Sequence, residues 1–199
     1  IILSIYLFFN NIENFSLRSI FFNTISILTG TGYVNAEFDG WGSFPITIFL
    51  VLMFIGGCAG STACGIKIFR VQILYQFISN QLKRIIYPRG IFNIKYDKNN
   101  VDEKFMASII SFIFLYILIF FVITALLSVD GLDFITAISA AATSISNVGP
   151  GLGDVIGPNG NFSYLSNFSK WILSIGMILG RLELFAVLVL FIPSFWRKY

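Results

Sequence analysis

A glycine-rich segment interrupts a long apolar stretch and constrains the fold of this chain more than any other feature. Residues 56–65 read Gly-Gly-Cys-Ala-Gly-Ser-Thr-Ala-Cys-Gly, between an apolar run over 44–55 and a helical pattern over 66–78. Each glycine inside a helix costs about 1 kcal/mol relative to alanine, so unwinding is favoured here. Unwound backbone inside a membrane must be buried in protein or face water. The segment is therefore either part of an ion pathway or a small-residue face for helix packing.

The composition indicates a membrane protein. Of the 199 residues, 56% are hydrophobic and 12% are charged, whereas soluble domains carry about 25% charged residues. The absence of histidine excludes His-based zinc sites, Ser-His triads and the usual pH switch. Cys58 and Cys64 match no metal or redox spacing and are interpreted as small apolar residues. The net charge of +3 is too small to indicate nucleic-acid binding.

Two short apolar segments each end in a glycine turn. The first segment, over 17–28, precedes the first glycine turn at 29–33 (Thr-Gly-Thr-Gly-Tyr). The second segment, over 134–145, precedes the second glycine turn at 146–153 (Ser-Asn-Val-Gly-Pro-Gly-Leu-Gly). Both segments are shorter than the roughly 20 residues that cross a bilayer. A half-length helix followed by such a turn is typical of a re-entrant pore loop. A buried core helix or an interfacial segment is the alternative.

The order of half-helix, glycine turn, polar loop and crossing helix occurs twice, which predicts an internal repeat. Apolar spans over 105–127 and 168–192 flank the second pore loop. We therefore predict an all-α membrane protein with two crossing-helix, pore-loop, crossing-helix repeats, at 1–80 and 105–199, joined by a basic connector at 81–104. The first repeat is expected to lack the start of its first helix. A signal peptide is the alternative there, but the basic n-region and cleavage site are missing.

Charge predicts the orientation in the lipid bilayer. Ten of the 13 basic residues lie in or beside the connector or at the C-terminus, which the positive-inside rule places in the cytoplasm. Both pore loops would then enter from outside, and their acidic rims would attract cations. The acidic residues on that side are Glu37, Asp39, Asp130, Asp133 and Asp154.

The two glycine turns are candidates for a cation filter. Backbone carbonyls can replace the water shell of a cation, and glycine allows the dihedral angles that point carbonyls in one direction. The C-terminal ends of the half-helices also carry partial negative charge. Gly32 and Gly149 are the expected carbonyl donors, and neighbouring polar side chains would brace the turns or add oxygens. The candidate filter residues are Thr29, Thr31, Gly32, Tyr33, Ser146, Asn147, Val148 and Gly149.

Arg181 lies near the middle of the last predicted span, where a charge costs at least about 2.5–3.5 kcal/mol and usually marks function. In a continuous helix Glu183 would be about 200° further round, so the two side chains should not face the same path. Either Arg181 faces the pore near the glycine-rich segment and helps to form a gate, or each charge pairs with a neighbouring helix. Gly176 and Gly180 are spaced for close helix packing.

Three motifs resemble those of TrkH-type potassium uptake proteins of the Trk/Ktr/HKT superfamily. Residues 56–63, with 65–67 and 69–70, closely resemble the broken-helix motif of that family. Residues 147–153 resemble its fourth filter loop, and residues 180–185 resemble the segment that follows on the last helix. Two residues depart from the pattern, Cys64 in place of an expected glycine and Gly30 where threonine is more usual.

The resemblance implies four repeats around one potassium-channel-like pore, each with one filter glycine. This chain would be the C-terminal half, with the third repeat at 1–80, the fourth at 105–199, and potassium bound by the backbone carbonyls of Gly32 and Gly149. The broken helix would be an intramembrane gate beneath the filter. The expected gate residues are Gly56, Gly57, Gly60, Ser61, Thr62, Gly65 and Arg181.

The resemblance further implies potassium uptake at the bacterial cytoplasmic (inner) membrane, with potassium as the permeant ion and neither enzymatic activity nor a bound cofactor. The expected partners are the missing N-terminal half, a second copy in a homodimer and a TrkA-like nucleotide-binding cytosolic regulator. The alternatives are a sodium-conducting relative, a carrier that uses broken helices to bind a larger solute, and a non-transporting scaffold. An intramembrane enzyme has the least support, because no paired carboxylates or nucleophile lie at membrane depth.

Overall fold

The computed structural model describes residues 2–9, 16–58, 60–61, 63–90, 92–96 and 99–197. These residues are mainly helical, as the sequence predicts, with one two-stranded antiparallel hairpin inside the connector. The helices are α1 (Ile2–Phe9), α2 (Leu17–Thr29), α3 (Ser43–Phe54), α4 (Ile68–Ile86), α5 (Glu103–Val129), α6 (Phe134–Ser146), α7 (Asn167–Arg181), α8 (Leu184–Val189) and α9 (Pro193–Trp196). Short 3-10 turns lie at Phe38–Trp41 and Phe162–Tyr164, and the strands are β1 (Lys95–Tyr96) and β2 (Asn99–Asn100).

The two predicted half-helices are confirmed as α2 and α6, which have the same length and similar capping geometry at both ends. Each has 13 residues. At the start, Ser16 and Asp133 accept a hydrogen bond from the backbone N–H three residues later, which satisfies an amide that has no partner within the helix. At the end, Gly30 and Asn147 take the left-handed conformation that commonly stops a helix.

Helix α5 fulfils the prediction of an uninterrupted crossing span. It has 27 residues, and among the described helices it alone is long and apolar enough to cross a membrane. Helices α2, α3 and α6 are apolar but shorter.

The predicted break in the glycine-rich segment is confirmed between α3 and α4. The chain leaves the helix at Ile55, and a parallel bridge between Ile55 and Ile66 closes the base of the loop. Gly56 donates its N–H to the Ile66 carbonyl at 2.7 Å, and Ile66 donates to the Phe54 carbonyl at 2.9 Å. Helix α4 then continues to Ile86, so the predicted connector begins inside a helix rather than after one.

The last predicted span, over 168–192, is wrong as a single helix. Helix α7 ends at Arg181, and α8 starts at Leu184. Glu183, between them, has a positive φ of 58°, which is unfavourable for a residue with a side chain. Its carboxylate pairs with Lys67 at 3.0 Å, a contact from a distant part of the chain that hydropathy does not reveal.

Helix α6 lies at the centre of the packing. It packs against α5, α7 and α3, and ten of its residues are buried. Small side chains allow this crowding, because Ala137, Ala140, Ala141 and Ala142 are all fully buried. Helix α7 approaches through glycine, as its spacing predicts. A Cβ atom on Gly180 would lie 1.8 Å from the Ile145 carbonyl oxygen, and one on Gly176 would lie 2.9 Å from Ile123.

We predict that Gly180→Ala lowers the free energy of unfolding by about 1–3 kcal/mol, because overpacking at this contact forces α6 and α7 apart. Thermal unfolding of the purified protein in detergent measures the effect. Gly40→Ala is the matched control, since a Cβ atom at Gly40 meets none of the described residues within 4 Å. Equal stability of the two variants would contradict the close contact.

Candidate ion-binding site

The two glycine turns lie directly against each other. A Cβ atom on Gly32 would be 2.2 Å from the carbonyl oxygen of Val148, and one on Gly149 would be 3.6 Å from the Cα atom of Gly32. A Cβ atom on Gly30, the first glycine of the first turn, would be 3.8 Å from the carbonyl oxygen of Asn147. Both Gly32 and Gly149 have positive φ angles, of 73° and 119°. Backbone therefore faces backbone, and at Gly32 the neighbouring carbonyl leaves no room for a side chain.

Backbone N–H groups in both turns bond back to their own half-helix. Thr31 donates to the Ser26 carbonyl at 3.0 Å, and Val148 donates to the Thr143 carbonyl at 3.1 Å. The next amide along, that of Gly149, donates to the Thr143 hydroxyl at 2.9 Å. In a trans peptide the C=O group points opposite to the N–H group, and the described part of the chain has only trans peptides. The carbonyl groups of these peptides therefore point away from their own half-helix, and in the second turn the Val148 oxygen lies against Gly32.

Polar side chains in the first turn are held within the protein. Thr29 donates its hydroxyl to the Ile25 carbonyl at 2.7 Å, and Thr31 donates to the Ser26 carbonyl at 3.2 Å. The Tyr33 carbonyl accepts from the Ser26 hydroxyl at 2.7 Å, while the Tyr33 side chain is exposed. These hydroxyl groups therefore brace the turn, and the Tyr33 carbonyl is directed back to α2.

The second turn is fixed to the crossing helices on either side. The hydroxyl groups of Ser146 and Tyr116 are 2.7 Å apart in a buried hydrogen bond, which joins the end of α6 to α5. The side-chain amide of Asn147 donates to the Met177 carbonyl at 3.0 Å, which joins the turn to α7. Both bonds hold the end of the half-helix against its neighbours.

Several residues that hold the turns are not apparent from the sequence pattern. Asn23 is buried and exchanges two hydrogen bonds with Asn35, at 2.9 and 3.2 Å. Ser26 and Thr143 are also buried and contact the turns directly. The one signal available in the sequence is the position of Ser26 and Thr143, because each is the sixth residue before a candidate filter glycine.

The predicted gate residues in the glycine-rich segment have different surroundings. Gly56 and Gly57 are tightly packed, since a Cβ atom would lie 2.6 Å from the Cys64 carbonyl oxygen and 2.7 Å from the Ser61 hydroxyl, respectively. Gly65 has a positive φ of 82°. A Cβ atom on Gly60 would meet none of the described residues within 4 Å. The packing of the described residues therefore does not require glycine at position 60. Thr62 lies outside the described residues.

Arg181 and Glu183 line one cavity together with the glycine-rich segment. The cavity has a volume of about 220 Å³, and its wall includes Cys64 and Gly65. A guanidinium nitrogen of Arg181 lies 3.7 Å from the Cys64 sulfur. The expectation that Arg181 and Glu183 face different paths is therefore wrong, because the helix ends between them and the 200° rotation no longer applies.

Glu183 links the junction of α7 and α8 to the start of α4. Its carboxylate lies 3.0 Å from Lys67 and 3.6 Å from Arg70. The guanidinium of Arg70 in turn stacks over the ring of Phe112 in α5 at 3.8 Å, a cation–π distance. The loop in the broken helix is thus tied to two other helices by charged side chains.

The polar loops on the opposite side of the molecule also meet. A carboxylate oxygen of Asp39 accepts from the Gly153 N–H at 3.2 Å, and Glu37 accepts from the side-chain amide of Asn159. The second oxygen of Asp39 is buried and has no hydrogen-bond partner within the described part of the chain. Burial, with a further contribution from the charge of Asp154, raises the pKa of Asp39 to about 6 even though the Gly153 bond opposes the shift.

The fold and the opposed turns define a helical membrane protein in which two half-helices bring their C-terminal turns together. Residues 9–198 match the TrkH family, described as cation transport protein. The chain belongs to this family.

Individual relatives agree. The chain is 43% identical to the Trk system potassium uptake protein TrkI of Halomonas elongata, over 92% of this chain and 37% of that protein. It is 34% identical to TrkH of Escherichia coli K12, over 100% of this chain and 41% of that protein. It is similar to the crystal structure of the potassium transporter TrkH from Vibrio parahaemolyticus, with a TM-score of 0.81 and 35% identity, over 89% of this chain and 37% of the other. The chain thus spans about two fifths of the length of these relatives.

We predict that the contribution of Asp39 to the stability of the protein falls as the pH rises from about 4 to about 6. The pKa of Asp39 is higher in the folded state than its ordinary value of 3.8, so the folded protein binds more protons in this window and loses stability as they leave. Asp39→Asn should remove this part of the pH dependence and stabilise the protein at pH 7. Thermal unfolding of both proteins across this pH range and at pH 7 measures these two effects. Asp102→Asn, at an exposed position, should keep the slope, and an unchanged slope in Asp39→Asn would contradict the assignment.

Proposed function

We propose that this chain forms the third and fourth repeats of a potassium uptake protein, in which the opposed turns at Gly32 and Gly149 form half of a carbonyl-lined filter. The observation that carries the proposal is the contact between the two turns, with the Val148 carbonyl directed at Gly32. Backbone carbonyl groups that line a narrow path can replace the water around a cation. Family membership and the names of the relatives support potassium as the ion.

Electrostatics supports a cation at this place. Both half-helices end at the turns, so the partial negative charges of two helix C-termini converge there. The polar loops beyond the turns carry Glu37, Asp39 and Asp154 around a second cavity of about 390 Å³. Negative charge at such an entrance raises the local concentration of cations.

The proposed gate consists of the glycine-rich segment and Arg181. Gly180 packs against the end of α6, at the Ile145 carbonyl and the Asn147 side chain. Arg181, the next residue, therefore lies close to the second turn. Its guanidinium reaches Cys64 in the segment. A fixed positive charge at this place opposes the passage of cations, and movement of the loop would change that barrier.

The remaining parts of the proposal concern the complete protein. We propose the division into repeats at 1–80 and 105–199, with a cytoplasmic connector at 81–104, in the bacterial inner membrane. The absent repeats would complete the filter, and a homodimer with a TrkA-like cytosolic regulator would be the working assembly. The relatives' designation as parts of a Trk system supports additional components.

We predict that Gly32→Ala in the full-length protein lowers the ratio of potassium to sodium uptake. The new methyl group would lie 2.2 Å from the Val148 carbonyl oxygen and would displace it, and the positive φ adds strain. Uptake of each ion into liposomes containing equal amounts of protein measures the ratio. Gly40→Ala serves as the control, and a ratio in Gly32→Ala equal to that of the control would count against the filter.

We predict that Arg181→Ala raises potassium flux several-fold, because it removes a positive charge from the pathway and a contact with Cys64. The same liposome assay measures the flux. Arg84→Ala, which removes an exposed cation from α4, should leave it unchanged. Flux in Arg181→Ala at or below that of the unmodified protein, with equal reconstitution, would remove Arg181 from the gate.

A further inference from the structure

We infer that the buried hydroxyl groups of Ser26 and Thr143 are positioning elements for ion selectivity, each fixing the orientation of peptide groups in one glycine turn. This inference rests on the proposed filter and assigns it two residues that do not contact the ion. Both side chains lie on half-helices, six residues before Gly32 and Gly149. They are 4% and 1% exposed, so water cannot substitute for the hydrogen bonds that they make.

Thr143 controls the peptide that joins Val148 to Gly149. Its hydroxyl oxygen accepts from the Gly149 N–H at 2.9 Å, so this N–H group points toward α6. Because the peptide is trans, the Val148 carbonyl must point the other way, and its oxygen is the atom closest to the methyl position of Gly32. Glycine at 149 offers little resistance to rotation of this peptide. The Thr143 hydroxyl therefore supplies the restraint that the glycine backbone lacks.

Ser26 controls the exit from the first turn. Its hydroxyl donates to the Tyr33 carbonyl at 2.7 Å and lies 3.1 Å from the Thr31 hydroxyl, which donates to it. The Tyr33 carbonyl is thereby turned toward α2 and away from the second turn. Ser26 thus limits which carbonyl groups of the first turn can face the ion.

The two hydroxyls hold different atoms but act in the same way. Thr143 directs the Val148 carbonyl toward the first turn at Gly32, and Ser26 turns the Tyr33 carbonyl back toward α2. Selection between cations depends on the number and placement of coordinating carbonyl groups. Loss of either hydroxyl should therefore alter the preference for potassium over sodium, beyond any effect on folding.

The test compares valine and serine at 143 in the full-length protein in liposomes. Valine keeps the shape of threonine but cannot accept the Gly149 N–H, whereas serine keeps the acceptor. We expect Thr143→Val to lower the ratio of potassium to sodium uptake about tenfold, a factor equivalent to about 1.4 kcal/mol. Thr143→Ser should retain the ratio. Thr124→Val is the matched control, because the Thr124 hydroxyl bonds within its own helix, α5, to the Phe120 carbonyl at 2.9 Å.

Ser26→Ala provides an independent test that decides the matter if Thr143→Val does not fold. It should also lower the ratio, and Ser26→Thr should restore it. If Thr143→Val or Ser26→Ala reconstitutes normally and gives the ratio of the Thr124→Val control, the inference is overturned while the proposed filter stands. If the unmodified protein shows no preference for potassium, the proposed function itself fails, and the inference fails with it.

Discussion

The structure depends on the pairing of loop amides with their own half-helices. Each glycine turn donates N–H groups back to the helix that precedes it, through the Ser26 and Thr143 carbonyls and the Thr143 hydroxyl. The direction of the carbonyl groups follows from the geometry of the trans peptide. The Val148 carbonyl oxygen is thereby directed away from α6 and toward the first glycine turn, at Gly32.

Close packing keeps the two turns together. Helix α6 is built largely from alanine, serine and threonine, and ten of its residues are buried. Its neighbours can therefore approach its backbone, as Gly180 does at the Ile145 carbonyl. Buried bonds from Tyr116 and Asn147 then fix the second turn to α5 and α7. Small residues allow the neighbouring helices to lie close to α6, and polar side chains fix the orientation of the second turn.

Local features of the sequence were sufficient to predict the half-helices and the break after Phe54, because helix length and glycine content act locally. Helix α7 ends at Arg181, and Glu183 just beyond it takes a positive φ and pairs with Lys67. This contact joins residues far apart in the chain and has no signal in the local hydropathy, from which we predicted a continuous helix. Ser26 and Thr143 were missed for another reason. Serine and threonine are frequent throughout this chain, and only the folded turn distinguishes the two that reach its backbone.

The most direct test of a cation between the turns is a crystal structure of the full-length protein with thallium or rubidium in place of potassium. We expect an anomalous scattering peak between the turns at Gly32 and Gly149, within coordination distance of their backbone carbonyls. Turns that lie apart in that structure, or a peak located elsewhere with none between them, would contradict the claim that these carbonyl groups face a cation.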